Sequence, residues 1–504
     1  MLLIFFLISF DYNILRIMKD TLMVTAKGSG AEVIPFVKVW AMFPGAIAMT
    51  WIFTKLSNSF SRERVFYIMM GIFLTYFALF IFVLYPARSF LHPDQLTDAL
   101  QTTLPLGLKG CIAMLRNWIF TSFYAMSELW GNIVLFVLFW GFANQVTRLD
   151  EAKRFYGLFG IGANLSGIFA GQASVWFSSS VYNPALPFGT DAWEQSLFFL
   201  ITLVLIAGLA AIALFRWIHT NILPDPRYHT PSDKQPQEQE RPKLSLRESV
   251  RYLLRSRYLC YIAIIVIAYN VVINLVEVLW KHQVHELYPT PLDFNIYMNQ
   301  VSTIIAFVAT FSAMFISGNA IRRCGWTFTA MLTPIILFLT SVGFFAFFFC
   351  KEPLQELSML LFGATPLAMV VFFGSAQNIL CRAAKYSVFD ASKEMAYVPL
   401  TDESKTLGKA VIDGVGSRLG KSGGALIHQT LLLSLSTLTA SAPYVAAILL
   451  ATVAIWAIAT RLLGKEFNAL TQQPTNNGTT EEEKSLWSQH SLPLSQGALQ
   501  EQRA

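Results

Sequence analysis

The sequence carries little charge. Only 13% of its 504 residues are Asp, Glu, Lys or Arg, about half of the roughly 25% that is typical of soluble domains. A soluble protein of this length needs more charge on its surface, so the composition excludes an ordinary soluble enzyme and a disordered chain. The formal net charge of +6 is small for such a long chain and does not suggest a nucleic-acid-binding protein.

Cysteine is also scarce, with five residues and no CxxC pair. An odd count without metal-ligand spacing argues against a disulfide framework and a structural metal site, so we interpret these cysteines as small packing residues. The histidines are scattered, and we expect His282 and His285 to lie in a solvated loop beside Glu286. The sequence therefore predicts no metal site, no catalytic group and no cofactor.

What the sequence does have is long apolar runs of the length that crosses a bilayer as a helix. These runs lack the alternation of a membrane barrel, so they predict an all-α polytopic membrane protein. We expect about twelve transmembrane helices in two six-helix bundles, a major-facilitator-like layout. The predicted spans are 1–18, 34–57, 65–86, 115–143, 155–177, 196–220, 258–281, 299–321, 327–350, 357–381, 409–436 and 442–463.

A proline-rich and charge-rich stretch divides the chain. It predicts an N-terminal bundle over 1–223, a cytoplasmic linker over 224–257, a C-terminal bundle over 258–464 and a disordered cytoplasmic tail over 465–504. Lys and Arg concentrate in the loops that follow even-numbered spans. By the positive-inside rule, these loops, the linker and both termini are cytoplasmic.

Four charges interrupt or border the apolar spans: Lys38, Glu128, Glu277 and Lys421. A charge near the bilayer centre costs roughly 2.5–3.5 kcal/mol on insertion scales. Two acids and two bases divided between the halves fit a central cavity for a charged substrate. The alternatives are a structural ion pair, or a side chain that extends to the interface.

An anionic substrate with several charges needs several cations, and Arg and Lys both bind phosphate. The candidates are Lys38, Arg116, Lys153, Arg154, Lys281, Lys385 and Lys421. For Lys153, Arg154 and Lys385 the alternative is a role in membrane topology alone. Base contacts need amide or aromatic groups, for which Asn144, Asn274 and Asn378 are candidates. The Gly-Lys-Ser at 420–422 is not a P-loop, because Val415 stands where that motif requires glycine.

Several stretches, spread from residue 1 to about 465, match one family. They are residues 19–38, ELWG at 128–131, LFWGFANQ at 138–145, DEAKRFY at 150–156, NLVEVLWK at 274–281, FDASKEMAY at 389–397 and LGKSGGA at 419–425. On these residues the chain resembles the bacterial and plastid ATP/ADP translocases. The resemblance implies that the functionally important charges of that family fall on Lys38, Glu128, Glu277 and Lys421.

The resemblance further implies a monomeric transporter, not an enzyme, that exchanges external ATP for internal ADP. Its expected place is the inner membrane of an intracellular bacterium, with ATP, ADP and the lipid bilayer as partners and no nucleic acid. The sequence departs from many exchangers in Arg16-Ile-Met-Lys-Asp20, which lacks their first acid, and at His282, where they have a further Lys. These departures keep an alternative open, in which several nucleotides are imported together with protons and without counter-exchange.

Overall fold

The computed structural model describes residues 1–146, 149–178, 181–224, 251, 253–315 and 322–472, most of which are helical. No β-strand occurs within these ranges. Helices satisfy their backbone hydrogen bonds internally, which is what a segment surrounded by lipid requires. The predicted all-α fold class is therefore confirmed.

Six long helices form the first half of the chain. A π-helical stretch interrupts the second at Val37–Ala41 and the fourth at Trp130–Phe139. Their bounds are Leu2–Val24 (α1), Val33–Ser59 (α2), Arg62–Leu84 (α3), Trp118–Asn144 (α4), Leu149–Ser178 (α5) and Ala192–Ile222 (α6). Between α3 and α4, an outer hairpin over 88–116 contains three short helices, Arg88–Leu91, Asp94–Thr103 and Lys109–Arg116.

Six further long helices follow. Their bounds are Arg257–Leu287 (α7), Pro291–Phe315 (α8), Trp326–Phe349 (α9), Pro366–Ala396 (α10), 402–435 (α11) and Leu438–Gln472 (α12). Ten of the long helices in the described ranges are long and apolar enough to cross a membrane. α1 and α11 are more polar and complete two sets of six. The charged residues of α1 are Asp11, Arg16, Lys19 and Asp20.

Several predicted segment limits differ from the structure. The first span was expected to end at 18, yet α1 continues to Val24 because its polar last turns are buried against other helices. The eighth was expected to begin at 299, whereas α8 begins at Pro291. The predicted span 357–381 is broken: a short helix, Gln355–Phe362, ends at Gly363 with a φ of 63°, and α10 begins after the Thr365 cap.

The prediction that His282 and His285 lie in a solvated loop is wrong, because α7 continues to Leu287. Its last three turns carry Lys281, His282 and His285, and His282 Nε2 lies 3.5 Å from Glu286 Oε1 one turn further on. Polar residues at helical spacing extend this helix past the apolar run, because i, i+4 pairs favour the helical state.

Each half is organised around its first helix. α1 packs against α4, α5 and α6, and α7 packs against α10, α11 and α12. The halves meet where α5 lies along α8, and here small residues allow close approach. A Cβ added at Gly171 would collide with the side chain of Thr303 and lie 3.1 Å from the carbonyl oxygen of Asn299. The contact between α5 and α8 therefore depends on glycine.

Polar contacts also join the halves at the end of the molecule where α1 ends, which the positive-inside rule predicts to be external. Thr21 donates a 3.2 Å hydrogen bond from α1 to Asn295 on α8. Gln429 on α11 donates to the carbonyl oxygen of Pro35 on α2, at 2.8 Å. The outer hairpin packs closely against α11 at Gly107. These contacts close the predicted external end between the halves.

Candidate functional site

Three lysines and three carboxylates form a continuous chain of ion pairs between the two halves. Lys19 Nζ lies 3.0 Å from both Glu128 Oε1 and Asp20 Oδ1. Lys281 Nζ lies 2.8 Å from both Asp20 Oδ2 and Glu277 Oε1. Lys38 continues the chain as its third lysine. We call these six residues the charge chain, and their formal charges sum to zero.

Lys38, on α2 of the first half, is the last member of the charge chain and pairs with residues of the second half. Its Nζ lies 3.6 Å from Glu277 Oε2 and donates a 2.8 Å hydrogen bond to Asn274 Oδ1. The side chain stands in the π-helical stretch of α2, and such stretches occur frequently at functional sites. Because Glu277 and Asn274 are both on α7, Lys38 links the two halves at a second point.

Neighbouring helices position the remaining members. Lys19 and Asp20 lie in the last turns of α1, and Glu128 stands on α4 just before its π-helical stretch. The Lys19 ammonium also sits 3.7 Å above the ring of Tyr124, one turn from Glu128, in a cation–π contact. Burying an unpaired charge is expensive, so each member of the charge chain needs the others to remain ionised inside the bundle.

The charge chain has a buried middle and more accessible members on either side. The side chains of Lys19, Asp20 and Lys281 are only 3%, 4% and 2% exposed. Those of Glu128, Lys38 and Glu277 are 29%, 26% and 18% exposed, although all three stand among the packed helices. Partial exposure in the interior is what side chains lining an internal cavity show. A ligand in such a cavity reaches Lys38, Glu128 and Glu277 first.

Two arginines lie beside the charge chain. Arg16 is one turn before Lys19 on α1, and its guanidinium donates a 3.1 Å hydrogen bond to Ser302 on α8. Arg382 on α10 lies beside a small internal cavity that Val276 and Asn378 also line. Each arginine is within electrostatic reach of the other and of Glu277. The region around the charge chain therefore carries a positive excess.

The structure brings together five of the residues that the sequence singled out. Lys38, Glu128, Glu277 and Lys281 are members of the charge chain, and Asn274 is hydrogen-bonded to Lys38. They come from three helices and from both halves, so their proximity depends on the tertiary fold. This grouping is the candidate functional site.

Arg116 lies elsewhere. It ends a short helix of the outer hairpin, where its guanidinium pairs with Asp98 and donates a 3.0 Å hydrogen bond to Thr97. Lys27, in the loop between α1 and α2, donates a 2.7 Å hydrogen bond to Asp94 of the same hairpin, which lowers the pKa of that carboxyl. The guanidinium of Arg116 is thus already engaged by its own hairpin rather than by the charge chain.

The other predicted site residues are also outside the charge chain. Lys385 pairs with Asp390 at 3.3 Å, near Arg382. Lys421 is exposed on α11, next to Gly420, which packs against α7.

Three further residues were predicted for the site. Asn144 is exposed near the end of α4. The side chains of Lys153 and Arg154 lie outside the part of the chain that the structure describes.

The sequence-based reasoning missed Lys19, Asp20, Tyr124, Arg16 and Arg382. Lys19 and Asp20 stood just past the predicted end of the first span, so they counted as loop charges. The sequence does contain a signal for a buried ion pair: Lys19 and Asp20 directly follow an apolar run and precede another apolar segment. Arg382 was counted only as a topology determinant, although it follows the buried Cys381.

Known proteins resemble the chain over nearly its whole length. The family model for the TLC ATP/ADP transporter matches residues 1–467. ADP,ATP carrier protein 1 of Chlamydia pneumoniae is 45% identical over 470 residues, which cover 93% of this chain and 91% of that protein. The chloroplastic ADP,ATP carrier protein 1 of Arabidopsis thaliana is 45% identical over 468 residues, which cover 93% of this chain and 73% of that protein.

A solved structure shares the fold. It is a bacterial homologue of the iron transporter ferroportin in an inward-facing state, with a TM-score of 0.53 and 12% sequence identity. The match covers 92% of this chain and 97% of that protein. At this identity the similarity concerns the fold alone, and it agrees with the predicted transporter-like arrangement of two helical bundles.

Proposed function

The chain belongs to the TLC ATP/ADP transporter family, and from this premise we propose that it exchanges external ATP for internal ADP across a membrane. The observation that carries the proposal is the charge chain, in which lysines and carboxylates from both halves meet among the packed helices and Lys38 and Glu277 stay partly exposed. Carriers of polyanions need cations that are accessible from the cavity yet neutralised when the site is empty. Lys38 and its carboxylate partner Glu277 meet both requirements.

We propose alternating access as the mechanism, with the bundles over 1–223 and 258–464 rocking about the charge chain. The proposed setting is the inner membrane of an intracellular bacterium, with both termini cytoplasmic. Support comes from the concentration of Lys and Arg in the even-numbered loops and from the Chlamydia relatives. The protein acts as a transporter and not as an enzyme.

Phosphate groups compete with carboxylates for the same ammonium groups in this proposal. When a nucleotide enters, its phosphates bind Lys38 and draw it away from Glu277, 3.6 Å distant. Lys281 holds the other oxygen of Glu277 and transmits the change to Asp20 on the first half. Substrate binding thus rearranges the ion pairs that hold the halves together.

The same competition explains obligatory exchange. In the empty carrier every lysine of the charge chain is satisfied by a carboxylate, and this stabilises the closed external end. Only a bound nucleotide offers the lysines a replacement partner, so the empty carrier does not change state. A counter-substrate is therefore needed for the return step.

We assign supporting roles to the remaining candidates. Lys421 stands on α11 beside the α7 contact and approaches the phosphates when the helices move. Lys385, Lys153 and Arg154 attract the anion at the predicted cytoplasmic side. Asn274 positions Lys38, and Asn144 is a candidate contact for the base. Arg116 maintains the outer hairpin and does not bind substrate.

The test is uptake of labelled ATP into liposomes that contain the purified protein, with and without internal ADP. We expect uptake to require internal ADP and to persist when a protonophore is present. Uptake that ignores internal nucleotide but stops with the protonophore contradicts exchange and supports proton-coupled import. Empty liposomes and liposomes carrying a Lys38→Ala variant provide the background rates.

A further inference from the structure

Lys19 differs from the other lysines of the charge chain because an aromatic ring supports it. Its Nζ lies 3.7 Å from the centre of the Tyr124 ring and 3.0 Å from both Asp20 Oδ1 and Glu128 Oε1. Within the described ranges, the other two lysines have carboxylate or amide partners and no such ring. Two carboxylates and one π face thus surround a single buried ammonium.

The fold holds these three partners with different firmness. The side chain of Tyr124 is fully buried among the helices. Asp20 is also buried, and Lys281 holds its second oxygen at 2.8 Å. Glu128 is 29% exposed, and the described part of the chain shows no ion pair for it besides the one with Lys19. Glu128 is therefore the partner that leaves the ammonium most easily.

The hydroxyl group of Tyr124 does not account for the contact. It is buried and has no hydrogen-bond partner among the described residues, and a buried hydroxyl without a partner costs free energy. The ring face carries a negative partial charge and attracts an ammonium without being ionised. In this state the face of the ring, and not the hydroxyl, makes the polar contact of this side chain.

We propose that Tyr124 is a positioning residue for exchange, whose ring holds the Lys19 ammonium in place while Glu128 leaves it during the transport cycle. This inference rests on the proposed function. A nucleotide in the cavity repels Glu128, because both are anionic. Lys19 then keeps Asp20 as its one carboxylate, and Asp20 is shared with Lys281. A shared carboxylate does not balance two buried lysines, so the ring contact limits the cost of this intermediate.

The position of the ring makes the contact a lasting one. Tyr124 stands one helical turn before Glu128 on α4, and Lys19 is on α1 of the same half. Rocking of the halves against each other therefore leaves the ring under the ammonium. Since the ring acts through Lys19 and does not touch the nucleotide, it affects the rate at which the carrier changes state rather than its affinity for ATP.

The test varies the electron density of the ring while keeping its shape. Full-length protein in liposomes carries either Tyr124→Phe or, at the same position, phenylalanine with one, two or three ring fluorines. Fluorine withdraws electrons from the ring face and weakens its attraction for a cation. We expect Tyr124→Phe to exchange at nearly the wild-type rate. The maximal rate should then fall with each fluorine, about tenfold or more over the series, at constant KM for ATP.

The matched control is the same series of fluorinated rings at Phe123, the preceding residue on α4. Phe123 is equally buried, but its ring packs against Phe80, with ring centres 4.4 Å apart, and against Phe77. Fluorines at this position should leave the maximal rate unchanged. A flat series at position 124, an equal fall at both positions, a rise in KM in place of the fall in rate, or an inactive Tyr124→Phe variant overturns the positioning role.

Thermal unfolding without ligand follows the contact between ring and ammonium by itself. Tyr124→Phe should have a Tm equal to or above that of the wild type, because it removes an unpaired buried hydroxyl. Each fluorine at position 124 should then lower the Tm, whereas fluorines at position 123 should not. A Tm that stays constant along the series at position 124 contradicts the contact.

The outcome is distinguishable from failure of the proposed function. If wild-type liposomes do not exchange ATP for ADP, the exchange proposal fails, and the Tm series still decides whether the ring holds Lys19. If the wild type exchanges normally and the rate is constant along the fluorine series at position 124, the exchange proposal stands and the positioning role of Tyr124 is wrong.

Discussion

Asp20 and Lys281 are 261 positions apart in the sequence and form a 2.8 Å ion pair whose two side chains are almost fully buried. The pair joins α1 to α7, the first helices of the two halves. Since it lies near the end of the molecule that is closed between the halves, opening that end requires the pair to separate. Lys281 is also paired with Glu277, so separating Lys281 from Asp20 affects the ion pairs at the accessible end of the charge chain.

Asp20→Asn should destabilise the closed state. The substitution leaves Lys281 with one carboxylate instead of two, and breaking a buried ion pair by removing one partner costs about 3–5 kcal/mol. We expect a lower Tm in thermal unfolding of the purified protein. The double variant Asp20→Asn with Lys281→Met removes both partners and should recover part of the loss. An Asp20→Asn variant with wild-type Tm contradicts a structural role for the pair.

Lys38→Ala should impair exchange strongly, because it removes the most accessible cation of the charge chain and leaves Glu277 with one fewer partner. We expect ATP uptake by liposomes to fall at least about tenfold, the loss of one charge-assisted contact. Lys55→Ala is the control on the same helix, since Lys55 is exposed and lies over the Trp51 ring. Equal uptake by the Lys38 and Lys55 variants rejects the site.

Arg116→Gln should affect stability rather than substrate affinity. The guanidinium pairs with Asp98 and bonds to Thr97 within the outer hairpin, so its loss loosens this hairpin. We expect a lower Tm and an unchanged KM for ATP in the exchange assay. A raised KM at wild-type Tm returns Arg116 to the substrate-binding residues that the sequence suggested.

Asp11→Asn should leave the protein as stable as before or make it more stable. Asp11 is fully buried on α1, and neither carboxylate oxygen has a hydrogen-bond partner among the described residues. An amide has nearly the same shape and avoids the cost of burying a charge. Thermal unfolding at neutral pH checks this, with Asp293→Asn at the start of α8 as the control. A clear fall in Tm for Asp11→Asn alone shows that the carboxylate has a needed partner.

The transmembrane architecture was predictable because apolar length is a local property of the sequence. Ten long helices meet the length and composition expected of membrane spans, and they confirm the overall layout. α1 shows where that reasoning fails. Its last turns carry Lys19 and Asp20, which look like loop residues until their partners on α4 and α7 are known. Partners so far apart in sequence leave no periodic signal.

The candidate site was predictable in part for the same reason. Lys38, Glu128 and Glu277 stand out because lipid penalises charges inside apolar runs. Arg116 also borders an apolar run, but the acids of its own hairpin neutralise it there. The cost of desolvation identifies charges that need a partner. Only the tertiary structure shows whether a neighbouring side chain already fills that role or whether a ligand can fill it.

The charge chain belongs to the protein, and this has an electrical consequence. Its lysines and carboxylates take part in both legs of an exchange cycle, so their charges cancel over the cycle and only the transported ions count. ATP carries one more negative charge than ADP. When no other ion accompanies the two nucleotides, each exchange cycle moves one net charge across the bilayer. A membrane potential of 100 mV is worth about 2.3 kcal/mol for one elementary charge, so voltage across the membrane biases the direction in which nucleotides are exchanged.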